Sequence, residues 1–164
     1  MSNTANAKIA SESLPVARDS ADARSASLLI CMCAGRVLLS LIFVLSGAHK
    51  ILNWNDTMSR MQDEGMLYVP ILLAGAIILE LGGGLFLFTG LRPRLGATML
   101  VVFLIPTTLI FHDFWAYDGA AQQTQMIQFM KNLAILGGLL VVIAARPRPK
   151  QIASKPASTT GGPT

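Results

Sequence analysis

The chain has 164 residues, of which 52% are hydrophobic and only 13% are charged. Soluble domains carry roughly 25% charged residues, so this chain lacks the charge to cover a surface exposed to water. The formal net charge is +4, but the basic residues flank apolar stretches, as membrane topology requires. Composition therefore predicts an integral membrane protein in contact with a lipid bilayer, and it excludes a nucleic-acid partner.

The N-terminal residues 1–26 are polar and show no hydrophobic period, which predicts a disordered tail. The first apolar segment follows at residues 28–52 and carries Arg36 in its first third. The apolar pattern continues beyond Arg36, which favours a spanning helix over a cleaved signal peptide. Cys31 and Cys33 stand two residues apart and point to different faces of a helix, so we expect them to pack rather than to bind a metal.

Three further apolar segments lie at residues 69–89, 95–115 and 125–145. Each contains about 20 residues, which is enough for a tilted helix to cross the hydrocarbon core of a bilayer. The predicted fold class is therefore all-α, with one bundle of four transmembrane helices over residues 27–146. The remaining residues 147–164 are rich in Pro, Ser and Thr and predict a disordered cytoplasmic tail.

The charges in the loops predict the orientation of the bundle. The two tails and the loop between the second and third segments contain most of the basic residues, whereas the opposite side has only Lys50, near the end of the first segment, and Arg60. Positively charged loops stay in the cytoplasm, so both termini are predicted to be cytoplasmic. An aromatic belt at the opposite boundary supports this orientation and comprises Trp54, Tyr68, Trp115 and Tyr117.

Glu80 is the one charged residue of the second segment and lies near its midpoint. A carboxylate at this depth is costly and needs a partner inside the protein. At about 1.5 Å per residue, Lys131 of the fourth segment lies at a similar depth, and it is the partner that we expect. Asn132 follows it about 100° round the helix, so only one of the two can point at Glu80, and the sequence leaves open which.

A cluster of polar residues from all four segments is predicted in the outer half of the membrane. Its members are His49, Lys50, Glu80, His112, Lys131 and Asn132. Arg36 is expected near the inner leaflet instead, where it can extend towards lipid phosphates. The alternatives for the cluster are lysines that extend to the surface and polar groups that only hold helices together.

The chemistry that this cluster allows is limited. His49 and His112 lie at the ends of their helices, which disfavours a bis-histidine haem and favours proton transfer beside a carboxylate. The sequence contains no metal-ligand cluster, no C-x-x-C pair and no flavin or nucleotide fingerprint. We therefore expect no metal and no intrinsic cofactor.

Short motifs follow one another in a specific order over residues 30–145. They are Arg36, Ser46-Gly47-Ala48-His49-Lys50, Glu80-Leu81-Gly82-Gly83-Gly84-Leu85, Gly90-Leu91, Arg94-Leu95-Gly96-Ala97, Phe111-His112-Asp113-Phe114, Lys131-Asn132-Leu133-Ala134 and Gly137-Gly138. This order resembles the DoxX family of small four-helix bacterial membrane proteins. The resemblance implies a multi-pass protein of the bacterial inner membrane, and it links the chain to quinone, thiol or sulfur, and oxidative-stress chemistry.

On this basis the first hypothesis is a quinone-interacting subunit of a membrane oxidoreductase, in which Glu80, His112 and Lys131 are the candidate catalytic residues. A quinone would diffuse in from the bilayer, and redox proteins or further copies of the chain would be its partners. Two alternatives stay open. One is a non-enzymatic scaffold or assembly protein whose polar cluster is structural, and the other is a small transporter.

Overall fold

The computed structural model describes residues 2–145, with side chains from Asp22 onward. Over these residues the protein is entirely helical. The elements are α1 (Ser2–Leu52), α2 (Trp54–Asp63), α3 (Val69–Thr89), α4 (Pro93–Phe111), the 3₁₀ helix η1 (Phe114–Ala116) and α5 (Gly119–Ala144). Four stretches are long and apolar enough to cross a membrane, namely α1 from Asp22, α3, α4 with η1, and α5. The predicted all-α fold with four transmembrane helices is confirmed.

The ends of α3 follow directly from the sequence, and its bounds coincide with the prediction. Pro70 stands in the first turn, where its missing N–H costs no hydrogen bond. Gly90 ends the helix in the left-handed conformation, with φ of 70°, and its N–H donates to the Phe86 carbonyl. The other predicted spans differ from the observed helices at one or both ends, because apolar periodicity does not mark the polar first turns of α4 and α5.

The N-terminal segment differs from the prediction of a disordered tail over residues 1–26, because α1 begins at Ser2. Alanine is the strongest helix former, and residues 2–26 contain seven alanines and no glycine. This backbone preference extends the spanning helix towards the N-terminus. The predicted tail at residues 147–164 lies outside the described residues.

The spanning helices form a ring in which α3 packs against α1 and α4, and α5 packs against α4 and more sparsely against α1. The core lies between them, and Phe43 of α1 meets Phe103 of α4 edge to face across the centre, with centroids 6.5 Å apart. The backbones of α3 and α4 touch, since a Cβ on Gly96 would lie 2.6 Å from the Gly83 carbonyl oxygen. Small residues at crossing points are the usual means of close approach between membrane helices.

The short helix α2 caps one end of this ring. It buries Met61 against Val69, Leu73 and Ile77 of α3. Its ten residues are too few for a span, so hydropathy shows α2 only as part of the loop between the first two segments. We call this side of the bundle the α2 end, and it also carries η1.

Candidate functional site

Glu80 is only 1% exposed, and its carboxylate forms an ion pair with Lys50 in the last turn of α1. Lys50 Nζ lies 2.8 Å from Glu80 Oε2. The same ammonium donates a hydrogen bond of 2.8 Å to Ser46 Oγ, one turn earlier in α1. The buried charge is therefore compensated from the neighbouring helix α1, and the pair joins α1 to α3.

Lys50 and Glu80 can meet because α1 and α3 approach each other closely. Gly47 lies beside α3, and a Cβ there would meet the Leu81 side chain at 2.8 Å and the Glu80 Cβ at 3.5 Å. Lys50 Nζ also lies 5.5 Å from the centre of the Phe103 ring, within the range of a cation–π contact. The ammonium thus lies between a carboxylate, a hydroxyl and an aromatic face.

The contact between Lys50 and Glu80 is close but not a well-aligned hydrogen bond. Among the described residues, Glu80 Oε2 accepts no hydrogen bond of acceptable angle, although its distance to Nζ is that of an ion pair. A buried oxygen without an aligned donor is uncommon. The attraction between the two groups is therefore chiefly coulombic, and Oε2 keeps unused capacity to accept a hydrogen bond.

The predicted pairing of Glu80 with Lys131 is wrong. Over the described residues no Cα atom of α3 lies within 8 Å of one of α5, and the Lys131 side chain is exposed on α5. The depth estimate placed both residues at a similar level, but it carried no information on which helices are neighbours. Lys50, another member of the predicted polar cluster, is the partner instead.

Asn132 faces α4 rather than Glu80, so neither of the two residues considered for that position occupies it. Its side-chain amide donates to Thr108 Oγ1 at 3.1 Å. The Thr108 hydroxyl is buried and donates in turn to the Leu104 carbonyl at 2.7 Å. Asn132 therefore links α5 to α4.

The two histidines lie at the α2 end, but each forms its side-chain hydrogen bond with a residue other than Glu80 or Lys50. His112 Nδ1 lies 2.8 Å from Gln125 Oε1 of α5, and the tautomer decides the roles at the imidazole. His49 Nδ1 lies 3.1 Å from Asn53 Nδ2. Gln125 was not among the predicted site residues, and the only signal for it was a run of glutamines at the start of the fourth segment.

A cavity of about 780 Å³ lies next to the Lys50 ammonium, between α1, α2, α3 and α4. We call it the lateral cavity. Its polar wall is formed by α1, α2 and the residue between them: Ser46, His49, Lys50, Asn53, Asp56, Thr57 and Arg60. Its apolar wall consists mainly of α3 and α4 side chains, including Leu72, Ala76, Leu79, Val102, Phe103 and Ile110.

The lateral cavity opens through the side of the bundle. Ile71 and Val102 line it and are 72% and 56% exposed, and both lie on spanning helices. Such exposed apolar residues face lipid in a membrane, so a molecule can enter from the bilayer. Gly75 provides part of the room, since a Cβ there would meet nothing within 4 Å. The sequence gives no sign of this cavity, because hydropathy shows no gap between helices.

Of the predicted cluster, only His49 and Lys50 line the lateral cavity. Glu80 lies behind Lys50 and outside the cavity wall. The other three members, His112, Lys131 and Asn132, belong to other surroundings. The structure therefore divides the predicted cluster into an ion pair beside a cavity, a link between α4 and α5, and an exposed lysine.

Arg36 lies at the opposite end of the bundle, as its position in the first segment predicts. Its guanidinium packs on Gly90, where a Cβ would lie 2.9 Å from Nη2, and Nη2 donates to Cys33 Sγ at 3.6 Å. This position is close to the C-terminus of α3, where positive charge is favourable. Cys31 and Cys33 are both exposed, so the packing role expected for them within this chain is wrong.

No cluster of three or more His, Cys, Asp or Glu side chains that could hold a metal ion occurs in the part of the chain that the structure describes. The charged and polar groups available for chemistry are those of the cavity wall and the ion pair.

Comparison with known proteins identifies relatives of this chain. The model of the DoxX family matches residues 31–113, which cover most of α1 after its polar start and extend to the end of α4. The inner membrane protein YqjF of Escherichia coli K12 is 33% identical over 113 residues, which cover 68% of this chain and 81% of the relative. The inner membrane protein YphA of the same organism is 27% identical over 118 residues, which cover 72% of this chain and 84% of that relative. No solved structure matches the chain.

Proposed function

Because this chain belongs to the DoxX family and is a multi-pass inner membrane protein, we propose that it binds a quinone in the lateral cavity as a membrane subunit of an oxidoreductase. One observation carries the proposal: an apolar cavity of about 780 Å³ opens sideways to lipid and has Lys50 on its polar wall. Ligand sites typically measure about 300–1,000 Å³ and combine apolar walls with few polar groups.

The chemistry of a quinone fits this arrangement. Its ring and tail are apolar, and its carbonyl oxygens accept hydrogen bonds. Lys50 and His49 both line the cavity and can supply donors, while α3 and α4 supply the apolar wall. A lipophilic molecule would enter between Ile71 and Val102 without crossing water.

Reduction of a quinone to a quinol takes up two electrons and two protons. The electrons would come from a redox protein partner. The protons would reach the ring through His49 and Lys50, which lie on the cavity wall. Glu80 would act as a positioning residue, since it holds the Lys50 ammonium but does not contact the cavity.

These roles revise the earlier candidates. His112 and Lys131 do not line the lateral cavity, so they are not proposed to contact the ligand. Lys50, predicted as a member of the polar cluster but not as a candidate catalytic residue, is proposed to contact the ligand together with His49. This reassignment depends on the observed neighbours of α1 and not on its sequence.

Binding of decylubiquinone to the purified protein in phosphatidylcholine vesicles tests the proposal. Trp54 lies in α2 and packs beside the cavity, so quenching of tryptophan fluorescence reports binding. Gly75→Leu should weaken binding by roughly tenfold or more, because overpacking costs about 1–3 kcal/mol and 1.4 kcal/mol is a factor of ten.

Gly137→Leu is the matched control. Gly137 also lies on a spanning helix with nothing within 4 Å of a Cβ, but it is not on the cavity wall. Its variant should bind decylubiquinone like the unmodified chain. Absence of saturable quenching, or equal loss in both variants, contradicts the proposal.

A second candidate function is a non-enzymatic scaffold whose polar groups are structural. The observation in its favour is that Glu80 is 1% exposed, lies outside the cavity wall and joins α1 to α3. For a scaffold, Gly75→Leu would leave cellular function intact, while loss of the ion pair would lower the amount of folded protein.

A further inference from the structure

Pro106 lies inside α4 and interrupts its hydrogen bonding. A proline has no N–H, so the carbonyl four residues earlier, that of Val102, loses its donor in the helix. Val102 is the tenth of the 19 residues of α4, so this carbonyl lies in the middle of a spanning helix. A backbone carbonyl without a donor is costly in hydrocarbon, and a neighbouring group usually satisfies it.

The hydroxyl groups next to Pro106 in the chain do not satisfy the Val102 carbonyl. Thr107 Oγ1 donates to the Phe103 carbonyl at 2.8 Å. Thr108 Oγ1 donates to the Leu104 carbonyl at 2.7 Å. Among the side chains that the structure describes, none donates a hydrogen bond to the Val102 carbonyl. This oxygen therefore keeps the capacity to accept a hydrogen bond from a group outside the helix.

The Val102 carbonyl lies on the face of α4 that lines the lateral cavity. The residues of this face that line it are Val102, Phe103, Pro106, Thr107 and Ile110. A helical carbonyl points along the axis towards the residue four positions later, so this one points towards Pro106 and lies between two residues of the wall. Val102 also borders the lateral opening, so a molecule that enters from the bilayer passes its carbonyl.

The polar wall of the lateral cavity carries the complementary group. An ammonium has three N–H groups, and that of Lys50 has contacts of 2.8 Å with Ser46 Oγ and with Glu80 Oε2. These contacts occupy at most two of the three, so an N–H remains for a ligand. The Phe103 ring centre lies 5.5 Å from Lys50 Nζ, so the ammonium faces the part of α4 that carries the free carbonyl. The cavity thus presents both a donor and an acceptor.

We propose that the lateral cavity binds the quinol form of its ligand more tightly than the quinone form, an inference that rests on the proposed function. The ring oxygens of a quinone only accept hydrogen bonds, whereas each hydroxyl of a quinol donates as well. One hydroxyl donates to the Val102 carbonyl, and the other accepts from Lys50. A quinone makes only the second contact and leaves the buried carbonyl without a donor, which weakens its complex.

The test compares three ligands on the full chain in phosphatidylcholine vesicles under argon. They are decylubiquinone, decylubiquinol and the dimethyl ether of decylubiquinol, which keeps the reduced ring but has no O–H to donate. The ligand bound in excess of that in protein-free vesicles gives each dissociation constant. Decylubiquinol should bind roughly tenfold more tightly than the quinone and the ether, which is the effect of about one hydrogen bond.

Substitution of the proline tests the role of the carbonyl. Pro106→Ala restores the N–H that pairs with the Val102 carbonyl, so the quinol should lose its advantage over the quinone while both still bind. Pro93→Ala is the matched control on the same helix and should keep the preference, because a proline in the first turn removes no helical hydrogen bond. Circular dichroism checks that both variants fold, and the three ligands give the same contrast on the unmodified chain.

Three results would overturn the proposal. The first is a quinone or an ether that binds as tightly as the quinol, which would leave the proposed function intact. The second is a preference that survives in Pro106→Ala but disappears in Thr107→Val, which would identify the Thr107 hydroxyl as the acceptor. The third is the absence of saturable binding for all three ligands, which would contradict the proposed function as well.

Discussion

The ammonium of Lys50 lies 2.8 Å from the carboxylate of Glu80 and joins the last turn of α1 to the middle of α3. The pair is asymmetric, because the Glu80 side chain is 2% exposed and that of Lys50 is 21% exposed. Glu80 cannot reach the surface, whereas Lys50 contacts the lateral cavity. A change at Lys50 therefore affects both the compensation of a buried charge and the polar wall of the cavity.

Lys50→Met is expected to lower the free energy of unfolding by about 3–5 kcal/mol, because it leaves Glu80 buried without a counter-charge. The double variant Lys50→Met/Glu80→Leu should recover most of this loss, since both charges are then gone. Unfolding in mixed micelles with increasing dodecyl sulfate, followed by tryptophan fluorescence, measures the difference. Lys131→Met is the control and should be close to neutral. An equal loss in Lys131→Met would contradict the assignment of the pair.

The sequence was sufficient to predict the spans and the requirement that Glu80 be paired. Hydropathy located four segments, and Pro70 and Gly90 marked the ends of α3, because both residues act through local backbone geometry. The cost of a carboxylate in hydrocarbon is also local information. The ion pair with Lys50 confirms the prediction that Glu80 needs a partner inside the protein.

The identity of that partner could not be predicted, because it depends on the order of the helices around the ring. Lys50 and Lys131 both lie in the half of the bundle that carries α2, and depth alone does not distinguish them. The structure places α3 beside α1 and away from α5. The lateral cavity escaped prediction for a related reason, since a space between helices is a property of packing.

The crossing of α3 and α4 should be sensitive to a single methyl group. Gly96→Ala places a Cβ 2.6 Å from the Gly83 carbonyl oxygen and 2.9 Å from the Leu87 backbone nitrogen, so the backbones must separate. We expect a loss of about 1–3 kcal/mol, the usual range for overpacking. Thermal unfolding in detergent, monitored by circular dichroism, measures the effect.

Gly137→Ala is the matched control for this crossing. A Cβ at Gly137 meets nothing within 4 Å. Alanine is the better helix former by about 0.8–1.0 kcal/mol in peptides, so this variant should be neutral or slightly more stable. A destabilisation as large as that of Gly96→Ala would show that the loss does not arise from the crossing of α3 and α4.

The link between α5 and α4 can be measured by a double-mutant cycle. Asn132→Leu removes the amide that donates to Thr108 Oγ1. The coupling energy between Asn132→Leu and Thr108→Val should be about 0.6 kcal/mol and at most about 1.7 kcal/mol, the range of hydrogen bonds between membrane helices. Stability in dodecyl sulfate titrations provides the four values. A coupling near zero would mean that the contact contributes nothing to the docking of α5.

Two glycines with the same backbone conformation distinguish the energetic cost of displacing Arg36 at Gly90 from the cost of backbone strain. Gly90 and Gly65 have φ of 70° and 72°, so alanine at either position should cost roughly 1–2 kcal/mol. Only Gly90→Ala also displaces a side chain, because a Cβ there would lie 2.9 Å from Arg36 Nη2, whereas Gly65 faces open space.

Gly90→Ala should therefore cost more than Gly65→Ala by about 0.3–1 kcal/mol, the usual contribution of a cation at a helix C-terminus. In an Arg36→Ala background this excess should disappear, since no guanidinium then remains to be displaced. Equilibrium unfolding of the four variants in detergent gives both differences. An excess that persists without Arg36 would locate the cost in the α3 C-terminus itself, and Arg36 would then have no part in holding that end of the helix.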